Sequence, residues 1–139
     1  MENPEVEKKM REEVTEICGN RTPNYSDIRR MKYIEAVLNE VLRIFPPVPY
    51  NIRRSIKSSA LPSPYSKFGR SLYMPPKSSF TYVPILIQRD PNFWGEDATE
   101  FKPERWFSDS NSSSHSNAFI PFNMGPRIAS IHIVLDFWY

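Results

Sequence analysis

The sequence predicts a mainly α-helical chain with a small β-sheet, and the placement of its prolines is the main reason. The chain has 139 residues, of which 14 are proline and 4 are glycine. Twelve of the prolines lie at Pro46 or later. Because a proline inside a helix removes a hydrogen bond and clashes with the preceding turn, we expect long helices only before that point. After it, short runs of β-branched and aromatic residues favour short strands.

The first helix is predicted to begin at Pro4 and to stop at Gly19. Asn3 is a favourable N-cap, proline suits the first helical position, and glycine is common just past a helix end. Four apolar residues recur between them at helical spacing: Val6, Met10, Val14 and Ile17. They form one narrow apolar stripe, which is typical of a surface helix. The polar segment 20–27 that follows predicts a loop or a short helical turn.

A second helix is predicted to end at Phe45, because the residue before a proline is disfavoured in the α region and Pro46 comes next. Its apolar residues follow a helical period: Ile34, Val37, Leu38, Val41, Leu42 and Phe45. This stripe is the face that we expect to need a packing partner. Ala36, Glu40 and Arg43 lie on the opposite face.

The rest of the chain divides into two parts. Residues 46–87 predict a proline-rich turn and short strands at 51–56 and 80–83, with a serine- and proline-rich connection between the strands. Residues 88–107 mix aromatic, acidic and basic residues with prolines, which favours a packed but irregular coil. After it, residues 108–116 contain six serines in nine positions. We expect a mobile surface loop there.

Composition excludes several classes of function. The formal net charge of +2 is too balanced to favour a nucleic-acid partner or an anionic membrane surface. A single cysteine, Cys18, excludes an internal disulfide framework and any zinc or iron–sulfur site built from several cysteines. No signal peptide and no apolar run of membrane-spanning length is present. We therefore expect no nucleic-acid partner and no membrane segment in this chain.

Glu40 and Arg43 form the first motif with a chemical meaning, since residues three apart on a helix can pair directly. By itself such a pair is usually a solvated ion pair of little energy. Its significance comes from the motifs that follow it in order. They are Pro46-Pro47-Val48-Pro49, Arg53, Trp94-Gly95, Phe101-Lys102-Pro103-Glu104-Arg105-Trp106, and the run from Phe119 to Arg127.

This order resembles the C-terminal part of a cytochrome P-450, the haem-thiolate monooxygenase family. The family pattern is a Glu-x-x-Arg helix, a proline-rich turn into a strand bearing an arginine, a Pro-Glu-Arg-aromatic segment, and a haem loop Phe-x-x-Gly-x-Arg-x-Cys-x-Gly. The resemblance implies a cytochrome P-450-like fold, of which residues 1–139 would be an incomplete fragment. It implies the J and K helices within about 3–45, the proline-rich turn and strands in 46–87, a meander-like coil and the haem loop in 88–128, and a divergent tail in 129–139.

The resemblance also implies roles for individual residues. Glu40, Arg43 and Arg105 would form a buried structural network that fixes the coil holding the haem loop. Four residues match positions that contact haem: Arg53, Phe122, Gly125 and Arg127. The two arginines would pair with the haem propionates, although each could instead be an ordinary surface arginine. In many members of the family, a histidine at the position of Gln88 also helps to hold the haem propionates. The Gln88 amide could still donate a hydrogen bond there.

The position of the iron ligand departs from the family pattern. Ala129 stands where the family has its cysteine, and Ile131 stands where it has a glycine. A methyl group cannot ligate iron, so we expect no metal ligand at this position and no catalytic residue in the chain. Cys18 lies far along the chain and is more simply explained as a small, partly buried thiol. His132 could reach an iron, but histidine-ligated haem is a different chemistry.

For the intact parent, the resemblance implies a haem-dependent monooxygenase of the endoplasmic reticulum membrane that takes electrons from an NADPH-cytochrome reductase. It would hydroxylate a hydrophobic substrate with O₂. Segments 47–53 and 94–106 look like fungal alkane and fatty-acid hydroxylases, and somewhat like plant fatty-acid hydroxylases. The alternative is a catalytically inactive remnant or a non-enzymatic interaction module, cytosolic if expressed. Because the cysteine and the family's oxygen-activating helix are both missing, we expect the chain alone to be inactive and weakly folded.

Overall fold

The computed structural model describes residues 3–61, 71–107 and 118–124. They belong to two units, one drawn from residues 1–49 and 84–139 and the other from residues 50–83. The helices of the first unit are α1 (Pro4–Cys18), α2 (Tyr25–Ile28), α3 (Lys32–Ile44), α4 (Pro84–Ile87), α5 (Pro91–Trp94) and a 3₁₀ helix (Pro103–Phe107). The second unit holds β1 (Asn51–Arg54), β2 (Ser59–Leu61), β3 (Leu72–Met74) and β4 (Ser79–Tyr82). The predicted fold class, mainly α with a small amount of β-sheet, is confirmed.

Helix α1 has the ends that the sequence predicts. Asn3 is the N-cap residue and Pro4 occupies the first turn. The helix ends before Gly19, whose φ of 58° lies in the left-handed region that favours glycine. The Gly19 N–H donates to the Thr15 carbonyl at 2.9 Å. The apolar stripe of α1 is half-buried, and Cys18 at its end is buried.

Helix α3 ends at Ile44, one residue before the predicted end at Phe45, and its burial follows its apolar stripe only in part. Leu38 and Phe45 are 51% and 68% exposed, whereas Glu40 and Arg43 have no exposed surface. The face carrying the charged pair is therefore the one that packs against the described part of the chain. This arrangement is stable only because both buried charges find partners inside the protein.

The N-terminus of α3 is capped by a residue of α1. The N-cap residue Met31 makes no side-chain cap. The Glu13 carboxylate accepts hydrogen bonds instead from the amides of Tyr33 and Ile34, at 2.8 and 2.9 Å. A carboxylate at this position satisfies amides that have no partner within the helix and complements the positive end of the helix dipole. Glu13 thus joins the two long helices.

Helix α2 forms in the polar segment between α1 and α3, where the sequence predicts a loop or a helical turn. It starts with a reciprocal capping box between Asn24 and Asp27. Asp27 is 2% exposed, and its carboxylate also accepts two hydrogen bonds from the Arg21 guanidinium. The hydrogen bonds from Arg21 and from the Asn24 amide outweigh burial and lower the pKa of Asp27 to about 2.

The second unit contains two antiparallel pairs of strands, β1 with β4 and β2 with β3. The first pair corresponds to the strands predicted at 51–56 and 80–83, with Arg53 opposite Phe80. The pair of β2 and β3 was not predicted, because it lies within the serine- and proline-rich segment treated as a connection. Three-residue strands are too short to show an alternating pattern in the sequence. The turn into β4 places Lys77 at a φ of 66°.

The segment after β4 is more helical than the sequence indicates. Pro84–Ile87 forms α4 where the sequence predicts the end of the strand region, and Pro91–Trp94 forms α5 with Asp90 as its N-cap. The buried residues Trp94, Ala98 and Ala118 form a small core here. Trp106 and Phe119 pack on it, with ring centroids 4.9 Å apart. The serine-rich segment 108–116 lies outside the described residues.

None of the helices in the described part of the chain has the length and apolar character needed to cross a membrane.

Removal of the Glu13 cap is expected to destabilise the first unit. The variant Glu13→Ala leaves two amides of α3 without their partner, which costs about 0.5–2 kcal/mol of unfolding free energy. Urea unfolding followed by circular dichroism measures the change. Glu12→Ala is the matched control, since Glu12 is an exposed neighbour on the same helix, and it is expected to change stability by less than about 0.5 kcal/mol. Equal losses in both variants would contradict the capping role.

The lowered pKa of Asp27 predicts acid-sensitive packing of α2. The ionised carboxylate contributes stability above its ordinary pKa, and that contribution is lost as the pH falls through about 2. Carbon NMR of the Asp27 carboxyl group is expected to report this value. Arg21→Gln removes the first cause of the shift and should raise the pKa, while Arg29→Gln should leave it in place. A value unaffected by Arg21→Gln would show that another group holds the carboxylate.

Candidate functional site

The described residues are organised around the buried carboxylate of Glu40, on α3. Its Oε1 accepts hydrogen bonds at 2.9 Å from Arg43 Nη2, Arg105 Nε and the Lys102 amide. Its Oε2 accepts from Arg43 Nε at 2.9 Å and from Trp106 Nε1 at 3.1 Å. Two carboxylate oxygens offer about four lone-pair directions. Five donors therefore use the full accepting capacity of this side chain.

Arg43 is equally saturated. Besides its two bonds to Glu40, the guanidinium donates to the carbonyls of Gln88 at 2.8 Å, Ala98 at 2.5 Å and Glu100 at 3.0 Å. A guanidinium has five N–H donors, and all five are used. Its central carbon lies 5.1 Å from the centroid of the Trp94 ring. Arg43 thus holds three carbonyls of the irregular segment 88–100 around one fixed planar group.

Arg105, on the 3₁₀ helix, completes the network from the other side of the coil. Its Nε donates to Glu40, and its other nitrogens donate to the carbonyls of Trp94 and Asp97 and to the Asp97 carboxylate. Lys102 donates to the second oxygen of that carboxylate at 2.8 Å. The structure therefore brings together Glu40, Arg43 and Arg105, the three residues singled out as a structural network.

The charges of the network are balanced by hydrogen bonds. Burial acts to raise the pKa of Glu40, but the bonds from Arg43, the Lys102 amide and Arg105 outweigh it and keep the pKa below its ordinary value. The pKa of Asp97 is lowered first by the hydrogen bond from Lys102, against a smaller effect of burial, and further by Arg105. Glu40 is thus ionised at neutral pH. With its lone pairs occupied, it cannot act as a general base, and the network immobilises chain segments.

Gln88 is a member of this site that sequence reasoning did not place in the network. It has no exposed surface. Its Nε2 donates to the carbonyls of Leu42 and Arg43, at 3.1 and 2.8 Å, and its Oε1 accepts from the Ile120 amide at 2.8 Å. Its amide donors are thus directed to α3, whereas the resemblance suggested a haem propionate. The available signal was a polar residue that ends the apolar run Ile85-Leu86-Ile87.

The predicted haem contacts fall in different parts of the chain. Arg53, on β1, is half-buried and donates to the Tyr82 hydroxyl at 3.2 Å, with its guanidinium 5.6 Å from that ring's centroid. Phe122 is 5% exposed in the segment 118–124. Arg53 belongs to the second unit and Phe122 to the first. Gly125 and Arg127 lie outside the described residues, as does Ala129.

The donor groups of the described residues do not form a metal centre. Within residues 3–61, 71–107 and 118–124, no group of three or more histidine, cysteine, aspartate or glutamate side chains could hold a metal ion. Cys18 is a free, buried thiol at the end of α1. Both histidines, His115 and His132, lie outside the described residues.

Comparison with known proteins gives one consistent result. The family model described as Cytochrome P450 matches residues 1–128. Cytochrome P450 52-N1 of Starmerella bombicola is 38% identical over 133 residues, which cover 91% of this chain and 25% of that protein. Cytochrome P450 monooxygenase fsdH of Fusarium heterosporum is 36% identical over 126 residues, covering 90% of this chain and 22% of that protein.

A plant protein gives a similar match. The 7-deoxyloganic acid hydroxylase of Catharanthus roseus is 37% identical over 126 residues, covering 90% of this chain and 23% of that protein. The chain therefore spans about a quarter of the length of the curated relatives it matches.

Neutralising Glu40 is expected to destabilise the first unit strongly. In Glu40→Gln the guanidinium groups of Arg43 and Arg105 lose their counter-charge. The new side-chain NH₂ also points a donor at groups that are themselves donors. Breaking a buried ion pair from one side typically costs about 3–5 kcal/mol. The measurement is chemical unfolding followed by tryptophan fluorescence, since Trp94 and Trp106 both adjoin the network.

Glu35→Gln is the matched control, because Glu35 forms an ion pair of the same i, i+3 type with Lys32 on the same helix. The Lys32 side chain there is 64% exposed, and such pairs contribute about 0–1 kcal/mol. A loss in Glu40→Gln no larger than that of Glu35→Gln would show that the network does not hold the coil.

Proposed function

The chain belongs to the cytochrome P450 family, and from this we propose that it supplies the support of the haem-binding loop in a haem-dependent monooxygenase. The observation that carries the proposal is the saturated Glu40 carboxylate with its five donors. A cofactor can be oriented only by a rigid polypeptide, and a fully satisfied buried ion network restricts the chain more tightly than apolar packing alone. Three carbonyls of segment 88–100 are fixed in this way by Arg43.

The parent reaction is proposed to be hydroxylation of a hydrophobic substrate with O₂ and electrons delivered by a reductase, at the endoplasmic reticulum membrane. Relatives over this segment include proteins named as a monooxygenase and as a hydroxylase. An alkane or fatty-acid substrate is proposed from the likeness of segments 47–53 and 94–106 to fungal hydroxylases. The relatives over this segment come from both fungi and plants.

Two described residues suit the haem that this family carries. A guanidinium on a half-buried strand, as at Arg53, is the group expected to neutralise a propionate. A buried aromatic ring, as at Phe122, is the group expected to pack on a macrocycle. Both assignments are proposals, since they come from the motif positions and from the burial of the two side chains.

The iron-ligand position does not fit. A thiolate-held haem is what lets this family cleave the O–O bond, and Ala129 stands where the thiolate is required. An alanine side chain carries no lone pair. Cys18, the one thiol in the sequence, is buried at the end of α1. We therefore propose that this chain retains the scaffold of a monooxygenase without its catalysis.

Restoring the cysteine is expected to restore thiolate ligation. The purified full chain, carrying Cys18→Ser to remove the other thiol, is titrated with haem, reduced and exposed to carbon monoxide. Ala129→Cys is expected to give the strongly red-shifted absorption band of a thiolate-ligated haem. The chain with Ala129 intact is expected to lack it, because the iron has no sulfur ligand.

Ser130→Cys is the matched control, since it adds the same thiol one residue out of register. The red-shifted band in Ala129→Cys alone supports the proposal. Such a band in the chain with Ala129 intact would overturn the assignment of that position. Its absence from Ala129→Cys, or equal bands in both cysteine variants, would show that the scaffold does not position the loop.

A further inference from the structure

Gln88 joins two parts of the first unit that are far apart in sequence. It follows α4 directly, has no exposed surface, and makes three side-chain hydrogen bonds. Two of these reach the end of α3, 45 and 46 residues earlier, and one reaches Ile120, 32 residues later. Gln88 can therefore fix the segment around Ile120 relative to the end of α3.

The side-chain N–H groups of Gln88 provide hydrogen-bond donors for carbonyls at the end of α3. The last carbonyls of any helix lack partners within the helix, and Pro46 prevents α3 from continuing. Nε2 of Gln88 donates to the carbonyls of Leu42 and Arg43, and the Arg89 guanidinium donates to that of Ile44. The Gln88 carbonyl in turn accepts from Arg43. The bonds are therefore reciprocal and fix Gln88 against α3 from both its side chain and its backbone.

The acceptor half of the same amide holds the segment 118–124. Oε1 of Gln88 accepts from the Ile120 amide at 2.8 Å, and Ile120 lies beside Phe119, which packs on Trp106. Phe122, two residues later, is buried. The Gln88 side chain, itself fixed against α3, therefore links this segment directly to the end of that helix by hydrogen bonds.

We propose that Gln88 is a positioning residue that sets the location of segment 118–124 against the end of α3. An uncharged amide suits this position, because it donates twice and accepts once at the same time. A carboxylate could accept from Ile120 but could not donate to the two carbonyls, and an apolar side chain could do neither. The consequence for a haem loop rests on the proposed function, but the coupling between α3 and the segment does not.

The first experiment needs no variant and uses the full chain. Amide hydrogen exchange is followed by NMR at rising, sub-denaturing urea concentrations. If Gln88 couples the two segments, the Ile120 amide is released in the same opening event as the Phe45 amide, which bonds to Val41 at the end of α3. The two protection factors should then fall together. An Ile120 amide that exchanges with no urea dependence while Phe45 stays protected would overturn the proposal.

The second experiment compares two variants of neighbouring residues. Gln88→Met keeps the volume and removes the donors and the amide oxygen, and it is expected to lower the protection of the Ile120 amide at least tenfold. The Lys102 amide, held by Glu40, should change less than threefold. Gln88→His at pH 8 should recover most of the loss, because a neutral imidazole still donates once and accepts once.

Arg89→Met is the matched control. It removes the donors to the Ile44 carbonyl but leaves the partner of Ile120 in place. Selective loss at Ile120 in Gln88→Met, with Ile120 retained in Arg89→Met, supports the positioning role. Equal losses at Ile120 and Lys102, or equal losses in both variants, would reduce Gln88 to a general packing residue. These outcomes do not depend on haem, so they are separable from the carbon monoxide test.

Discussion

A carboxylate that has no contact with water must find every partner inside the protein, and the first unit is built around one such group. Glu40 lies on a helix, its partners lie on that helix, in the coil and on the 3₁₀ helix, and each of them is fixed by contacting it. The desolvation of three charges is expensive, so a network of this kind contributes little net stability when compared with apolar packing. What it contributes is geometry, because an incomplete arrangement leaves a buried charge without a partner. The coil between α5 and the 3₁₀ helix is held against α3 by these contacts.

Much of the helical part of the fold could be predicted from the sequence. Pro4, Gly19 and Pro46 act through backbone geometry, which is local, and the ends of α1 and α3 therefore agree with the prediction. The burial of α3 could not be predicted from its period, since apolar spacing favours the stripe containing Leu38 and Phe45, both of which are exposed. The contact between Glu40 and Arg105 was implied only by the family resemblance. The hydrogen bonds of the Lys102 amide and of the carbonyls that bind Arg43 could not be predicted from the sequence, because backbone groups are the same at every position.

The site shows how support and chemistry are separated within one family. The support consists of side chains whose hydrogen-bonding capacity is exhausted inside the protein, as Glu40 and Arg43 illustrate. Such residues have no free hydrogen-bond donor or acceptor with which to bind a substrate. Chemistry in this family depends on a cofactor and one sulfur ligand, which a single codon can remove without touching any member of the support. We propose that Ala129 is a change of this second kind, in a chain whose buried network is complete.

The caps of α3 have a consequence for how the chain folds. Its N-terminal amides donate to Glu13, about 20 residues earlier. Its C-terminal carbonyls accept from Gln88 and Arg89, about 45 residues later. A helix of 13 residues is marginal in water on its own, since nucleation is costly and both of its ends fray. Closing the longer loop costs more chain entropy and comes more slowly than closing the shorter one. We therefore expect the pair of α1 and α3 to form first, and the end of α3 to become fixed only when residues 88 and 89 pack against it.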